Sequence, residues 1–185
     1  MRRVIRVSDG RGFVTETPLG LVVITAAHCL PHLPPASSAS YAHERTYGNI
    51  LGPLGEEPSV WAECLFVDPV ADIAILGEPD SQVLCDEWEA YDSFIGQCEP
   101  IKIVDANQEQ SVRMLSLSGG WFTARGRRSQ KAINIDNKEQ NVESGMSGSP
   151  ILGDDGAVSL VSTGGLCEPA LMECLPLWAV RPIIF

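Results

Sequence analysis

Histidine, aspartate and serine side chains are the groups of this chain that could combine in acid–base and nucleophilic chemistry. All three histidines, His28, His32 and His43, lie in the first quarter of the 185 residues. Asp72 precedes the apolar run "IAIL", and Ser147 lies in the glycine-rich stretch "ESGMSGSP". A serine hydroxyl becomes an effective nucleophile when an imidazole accepts its proton, and a carboxylate fixes the tautomer of that imidazole. These residue types are therefore sufficient for acyl transfer.

The order of these residues along the chain separates the known arrangements. An α/β-hydrolase places its histidine last, but no histidine follows Ser147, and "GMSGS" lacks the final glycine of G-x-S-x-G. A papain-like site needs a cysteine far ahead of a histidine, and Cys29 precedes His32 and His43 by only three and fourteen residues. The subtilisin order would need Asp9 or Glu16 as its acid. The order histidine, aspartate, serine remains, which the chymotrypsin arrangement shares.

Two local alternatives concern the acid and a metal. Asp68 lies in the same segment as Asp72, but the apolar run that would anchor the carboxylate in the core begins directly after Asp72. "HCLPH" spaces His28 and His32 as zinc ligands on a helix would be, but Pro31 disrupts such a helix. Neither C-x-x-C nor H-E-x-x-H occurs. We therefore predict no metal and no cofactor, and we assign the other two histidines to loops.

Composition and charge narrow the range of partners. The formal net charge of −11 repels phosphate backbones, so nucleic acid is not an expected partner. The longest apolar run, "LGLVVITAA", is shorter than the roughly 20 residues that span a bilayer, and the basic N-terminus lacks the layout of a signal peptide. We therefore predict a cytoplasmic chain without membrane contact, whose six cysteines are free thiols unless Cys167 and Cys174 meet across a loop.

Short runs rich in β-branched residues, such as "GFVTE", "LVVIT", "DIAIL", "IKIV" and "AVSLVS", recur along the chain. Their lengths favour an antiparallel β-sandwich or β-barrels over βαβ units. The segment 85–94 is more typical of a helix, and the Pro/Ser-rich segment 31–44 predicts a surface loop. An acidic break near 86–100 divides the strands into two groups of similar size. We therefore predict two antiparallel β-barrels, residues 1–95 and residues 96–185, in one domain.

These motifs in this order resemble the trypsin-like (chymotrypsin-fold) serine peptidases. "TAAHC" is similar to the histidine box of that family, "DIAIL" to its aspartate box, and "SGMSGSP" to its serine box, G-D-S-G-G-P or, in the HtrA-like bacterial branch, G-N-S-G-G-P. "LVSTGG", residues 160–165, resembles its substrate-binding strand. The compact length resembles the minimal bacterial type. The resemblance implies two six-stranded barrels with the active site in the cleft between them.

The resemblance also implies a role for each site residue. His28 would be the general base and acid, Asp72 the orienting carboxylate and Ser147 the nucleophile. The backbone N–H groups of Gly145 and Ser147 would form the oxyanion hole, as the chemistry of acyl transfer requires.

The resemblance places further residues along the substrate. Ser162 and Gly164 would lie beside the substrate backbone, and Asn141 would lie near the floor of the specificity pocket. The implied activity is a serine endopeptidase that cleaves a protein or peptide substrate through an acyl-enzyme inside a bacterium.

Three positions depart from the pattern of the family. Met146 stands where trypsin-like zymogens carry an aspartate that pairs with the new N-terminus, so we predict no activation of that kind. Cys29 usually has a disulfide partner in the preceding strand, where "RGFVTE" offers none. Ser149 replaces a glycine and leaves less room beside the nucleophile.

Two other functions stay open at this stage. The chain could be a latent protease-fold binding module that acts by docking partners, or it could transfer acyl groups other than peptides, as an esterase does. The complete set of three site residues favours the peptidase.

Overall fold

The computed structural model describes most of the chain, and every structural statement below concerns these residues: 2–18, 20–35, 44–129, 132–162 and 170–173. Two antiparallel sheets account for its strands. Within the predicted surface loop, residues 31–35 form neither helix nor strand, and residues 36–43, including His43, lie outside the described residues. Cys167 and Cys174 also lie outside them, whereas the four described cysteines are free thiols.

The first sheet is a closed six-stranded antiparallel barrel with the order β1-β2-β3-β6-β5-β4. Apolar and β-branched runs form its strands because such side chains pack well on a pleated surface and fill the barrel interior. Strand β6 is buried along its whole length. The strands are β1 (Ile5–Val7), β2 (Gly10–Thr17), β3 (Gly20–Thr25), β4 (Thr46–Gly52), β5 (Val60–Asp68) and β6 (Ile73–Gly77).

Helix α1, Cys85–Ile95, follows the first barrel and confirms the helix predicted over 85–94. Acidic residues occupy its first turn, where they favour the positive end of the helix dipole. The helix packs three buried side chains into the core of the first barrel: Tyr91, Phe94 and Ile95. In the described ranges, no helix combines the length and the apolar character that crossing a membrane requires.

The second sheet has six strands in the order β11-β10-β7-β8-β9-β12. Its outer strands, β11 and β12, come within 8 Å of each other between Cα atoms, so the sheet curls into a barrel-like layer. The predicted fold class, all-β with two antiparallel barrels, is confirmed. The strands are β7 (Glu109–Leu115), β8 (Trp121–Ser129), β9 (Ala132–Asp136), β10 (Pro150–Leu152), β11 (Ala157–Leu160) and β12 (Ala170–Glu173).

The connecting segment 96–108 joins the two sheets and includes "IKIV", which the β-branched pattern predicts as a strand. The segment does not continue either sheet as a strand, because its backbone groups bind partners in both sheets. Ile101 N–H donates to Val14 O of β2 at 2.8 Å, and Val104 N–H donates to Ala157 O of β11 at 2.9 Å. Ala157 is also part of the core cluster of the first barrel. The two sheets therefore share buried surface.

Candidate active site

The imidazole of His28 lies at the end of strand β3. The strand leads through Ala26 and Ala27, both buried, into a 3₁₀ turn that spans Ala27–Cys29. Small buried side chains allow this tight turn against the barrel core. The side chain of His28 is 49% exposed, so the turn presents the ring at the surface of the barrel.

Asp72 holds the histidine through both carboxylate oxygens. Its Oδ2 lies 2.7 Å from Nδ1 of His28, and its Oδ1 accepts the backbone N–H of His28 at 2.9 Å. The carbonyl oxygen of Asp72 also accepts the N–H of Ala27 at 3.1 Å. A carboxylate at Nδ1 favours the tautomer that protonates this nitrogen, which leaves Nε2 as a proton acceptor.

Asp68, the alternative acid, has a different role. Its Oδ1 accepts the N–H groups of Val70 and Ala71 at 2.9 and 3.0 Å, so it caps the turn that leads into β6. Asp72 follows this turn with a φ of +55°, a conformation that is uncommon for residues other than glycine. The turn that Asp68 stabilises therefore places the carboxylate of Asp72 next to His28.

The chain reverses immediately before Ser147 in a turn that spans residues 143–146. Met146 N–H donates to Glu143 O at 3.1 Å, and Gly145 has a φ of +91°, as the third residue of a type II turn requires. The side chain of Met146 is fully buried in the core of the second sheet, and its Sδ accepts the N–H of Glu143 at 3.3 Å. Apolar packing therefore anchors this turn.

Two backbone donors, one in this turn and one directly after it, have no acceptor in the part of the chain that the structure describes. They are the N–H groups of Gly145 and Ser147. Most buried backbone N–H groups in proteins are paired, and Ser147 is only 7% exposed. Free donors on either side of Met146 are what an oxyanion-binding site needs.

The backbone of Ser147 lies against the first barrel, next to the histidine turn. Its carbonyl oxygen accepts the N–H of Arg11 at 2.7 Å and lies 3.7 Å from Sγ of Cys29. Since Cys29 directly follows His28, these contacts bring the serine turn to the histidine. Burial raises the pKa of the Cys29 thiol to about 11. The thiol therefore stays protonated near neutral pH and is a poor nucleophile, which leaves that role to the serine.

Among the predicted substrate-binding residues, Ser162 directly follows Val161, whose backbone binds the two residues after Ser147. It is buried and follows β11, where the N–H of Val161 donates to Ser149 O at 2.9 Å and the carbonyl of Val161 accepts the N–H of Gly148 at 2.6 Å. Asn141 is exposed in the irregular segment before the turn. Gly164 lies outside the described residues.

Three residues that support the site belong to none of the motifs recognised in the sequence. Gly10 leaves room between Cys29 and the serine turn, because a β-carbon there would lie 2.4 Å from Cys29 Sγ. Arg11 binds the carbonyl of Ser147, and Leu117 lies beside Gly145. The two glycines of "GRG" are the sequence signal that could have indicated this contact, since close approach of two backbones favours glycine.

The comparisons with known proteins concern structure alone. No protein-family model matches the sequence, and no curated protein matches it. The serine protease domain of the Sesbania mosaic virus polyprotein matches with a TM-score of 0.59 at 17% identity, over 96% of this chain and 89% of that one. The serine protease of a human pathogenic astrovirus matches with a TM-score of 0.57 at 15% identity, over 97% and 91%.

A third similar structure is an inactive serine-to-alanine mutant of the protein Rv3671c from M. tuberculosis. Its TM-score is 0.54 at 18% identity, over 93% of this chain and 78% of that one. The chain has the chymotrypsin-like serine protease fold. Because the identities are low, the similarity establishes the fold and leaves the activity of this chain to its own residues. Viral and bacterial proteins both share the chymotrypsin-like fold with it, so a bacterial origin stays a prediction.

Proposed function

We propose that the chain is a serine endopeptidase with Ser147 as nucleophile, His28 as general base and acid, and Asp72 as orienting carboxylate. The observation that carries this proposal is the double contact of Asp72 with His28, at 2.7 Å to Nδ1 and 2.9 Å to the backbone N–H. The two contacts fix the position and the tautomer of the ring, with Nε2 available to accept a proton.

The proposed reaction has two halves. In the first, Nε2 of His28 takes the hydroxyl proton while Ser147 Oγ attacks the scissile carbonyl; the imidazolium then protonates the leaving amine and the peptide C–N bond breaks. In the second, water attacks the acyl-enzyme and gives a proton to His28. The ester bond then breaks, His28 returns the proton to Ser147 Oγ, and the new carboxyl group is released. The N–H groups of Gly145 and Ser147 stabilise the negative oxygen in both halves.

The substrate of this peptidase is a protein or peptide in an extended conformation. Ser162 and, in the family pattern, Gly164 would lie along its backbone, since an extended peptide adds to the edge of a sheet through main-chain hydrogen bonds. Asn141 would contribute to the specificity pocket. The reaction needs no cofactor, because His28 carries every proton transfer and the two backbone donors stabilise the negative oxygen.

Met146 supports a proposal about activation. An aspartate at this position would need a charged partner to be buried, whereas the methionine is buried in the apolar core of the second sheet. The turn of residues 143–146 therefore keeps its shape without an N-terminal ion pair. The proposed enzyme is therefore not activated by an ion pair between residue 146 and a new N-terminus.

A fluorophosphonate probe tests the proposed function directly. The wild-type chain should be labelled at Ser147, as peptide mass spectrometry would show, and Ser147→Ala should lose the label and about 10⁶-fold in kcat. Ser149→Ala is the matched control, because it removes a neighbouring buried hydroxyl and should keep the label. A peptide library and a set of alkyl esters, assayed together, distinguish a peptidase from an esterase. An unlabelled wild-type chain would exclude the active enzyme and favour a docking function.

A further inference from the structure

Arg11 is a buried cation at the junction of the two sheets. It lies in β2 and is 6% exposed, and burial lowers the pKa of its guanidinium from the ordinary value. Within the described ranges, no carboxylate forms an ion pair with it. Its partners are two successive carbonyl oxygens, those of Leu115 at 2.7 Å from Nη1 and of Ser116 at 3.1 Å from Nη2.

Stability alone does not explain this placement of Arg11. A buried charge is costly, and replacement of buried charged groups by packed apolar side chains is often neutral or stabilising. An arginine here does join two regions that are 104 positions apart in the sequence. Its planar fork fits two adjacent acceptors at once, which fixes their position more tightly than one bond would.

The backbone of Arg11 holds the nucleophile segment. Its N–H donates to the carbonyl of Ser147 at 2.7 Å, and its own carbonyl accepts the hydroxyl of Thr25 at 2.7 Å. Gly148 packs so closely that a β-carbon there would lie 1.8 Å from the carbonyl oxygen of Arg11. The backbone of Ser147 and Gly148 therefore packs directly against Arg11.

The guanidinium of Arg11 holds the hairpin of residues 115–121, which we call the β7–β8 hairpin. Ser116 N–H donates to Gly120 O at 2.9 Å and so closes the hairpin. The side chain of Leu117 in this hairpin reaches the turn of residues 143–146, because a β-carbon at Gly145 would lie 3.5 Å from Leu117 Cδ2. A shift of the hairpin would therefore move the support of Gly145.

We propose that Arg11 is a positioning residue that sets the nucleophile and the oxyanion donors together. Its backbone holds the carbonyl of Ser147, and its guanidinium holds the β7–β8 hairpin against Gly145. This inference rests on the proposed function of the site. The side chain of Arg11 acts on the transition state through the hairpin, so its loss lowers kcat and leaves KM nearly unchanged.

The test compares Arg11→Lys and Arg11→Met with Arg113→Met, an exposed arginine on β7. We expect a roughly 10²-fold loss of kcat in Arg11→Met at similar KM, since small displacements of reacting groups cost about this much. Arg11→Lys, which keeps the charge and loses the fork, should recover only part of the loss. Free guanidinium ion added to an Arg11→Ala variant should raise its kcat. A folded Arg11→Met variant with the wild-type kcat would overturn the proposal.

Leu117→Ala provides a variant that folding problems do not confound, because Leu117 is 47% exposed. It should lower kcat several-fold at constant KM, and an unchanged kcat would contradict the role of the hairpin. Hydrogen exchange separates this proposal from the proposed function, since it needs no activity. Amides of residues 143–149 should exchange at least tenfold faster in Arg11→Met than in the wild type, while those of 46–52 stay unchanged. If residues 143–149 exchange at the same rate in Arg11→Met as in the wild type, the proposal is overturned, even if the wild type proves inactive.

Discussion

The two halves of the candidate site are held by different means. In the first barrel, one carboxylate holds the imidazole, and the two side chains are 49% and 24% exposed. In the second sheet, Ser147 is buried and is held by main-chain hydrogen bonds and by glycines with positive φ. Substitutions in the first half should therefore affect chemistry more than folding. Substitutions of the serine segment should affect folding as well.

The largest expected effect that tests this difference is on the carboxylate. Asp72→Asn keeps the shape of the side chain but favours the wrong tautomer of His28, so kcat should fall by about 10⁴-fold. The midpoint of thermal unfolding should change little, because both side chains are partly exposed. Steady-state kinetics and calorimetry on the same sample check both statements. A variant that unfolds instead of losing only activity would remove the contrast between the two halves.

The glycines of the serine segment give the next largest effect and an internal comparison. Gly148 has a φ of +82° and no room for a β-carbon, so Gly148→Ala should lower the free energy of unfolding by about 3–5 kcal/mol. Gly145 has a φ of +91° but ordinary space, so Gly145→Ala should cost only about 1–2 kcal/mol. Urea unfolding measures both. Equal costs would show that the conformation, and not the contact with Arg11, constrains the segment.

The thiol of Cys29, which touches both halves, predicts a dependence of stability on pH. The ordinary pKa of a thiol here is 9.0, and burial raises that of Cys29 to about 11. The unfolded chain therefore loses this proton first, so the thiol lowers stability as pH rises from 9 to 11 and has no such effect below that range. Cys29→Ala should reduce the decline in denaturant midpoint, with Cys64 retaining part of it because burial raises its pKa also to about 11.

Cys85→Ala is the control for this experiment, since its side chain is exposed. Its decline with pH should match that of the wild type. A Cys29→Ala variant whose decline is as steep as the wild type's would show that the thiol does not titrate as its burial implies.

The smallest expected effect concerns Ser149. Its Oγ is buried and has no hydrogen-bond partner among the described residues. A buried hydroxyl without a partner costs stability, so Ser149→Ala should raise the free energy of unfolding by about 1 kcal/mol with activity unchanged. Chemical denaturation resolves a change of this size. Destabilisation by Ser149→Ala would mean that the hydroxyl stabilises the nucleophile's turn.

The sequence predicted the class of fold and the candidate residues because both leave local signals. Runs of β-branched residues indicated strands, and the acidic break indicated two sheets. The segment "IKIV" shows where such signals fail, since its backbone groups pair with Val14 and Ala157 in two different sheets. A local pattern reports which conformation a segment favours and does not report which partners are within reach.

The amino-acid sequence by itself determined the order histidine, aspartate, serine, the double-barrel class and the absence of a charged residue at position 146. The tertiary structure alone revealed the contacts of Arg11, and it showed that Asp72, which the sequence favoured over Asp68, binds the histidine. The physical reason is distance along the chain. Arg11 meets Leu115, Ser116 and Ser147 only after the two sheets have packed together, and no spacing of residues in the sequence encodes that approach.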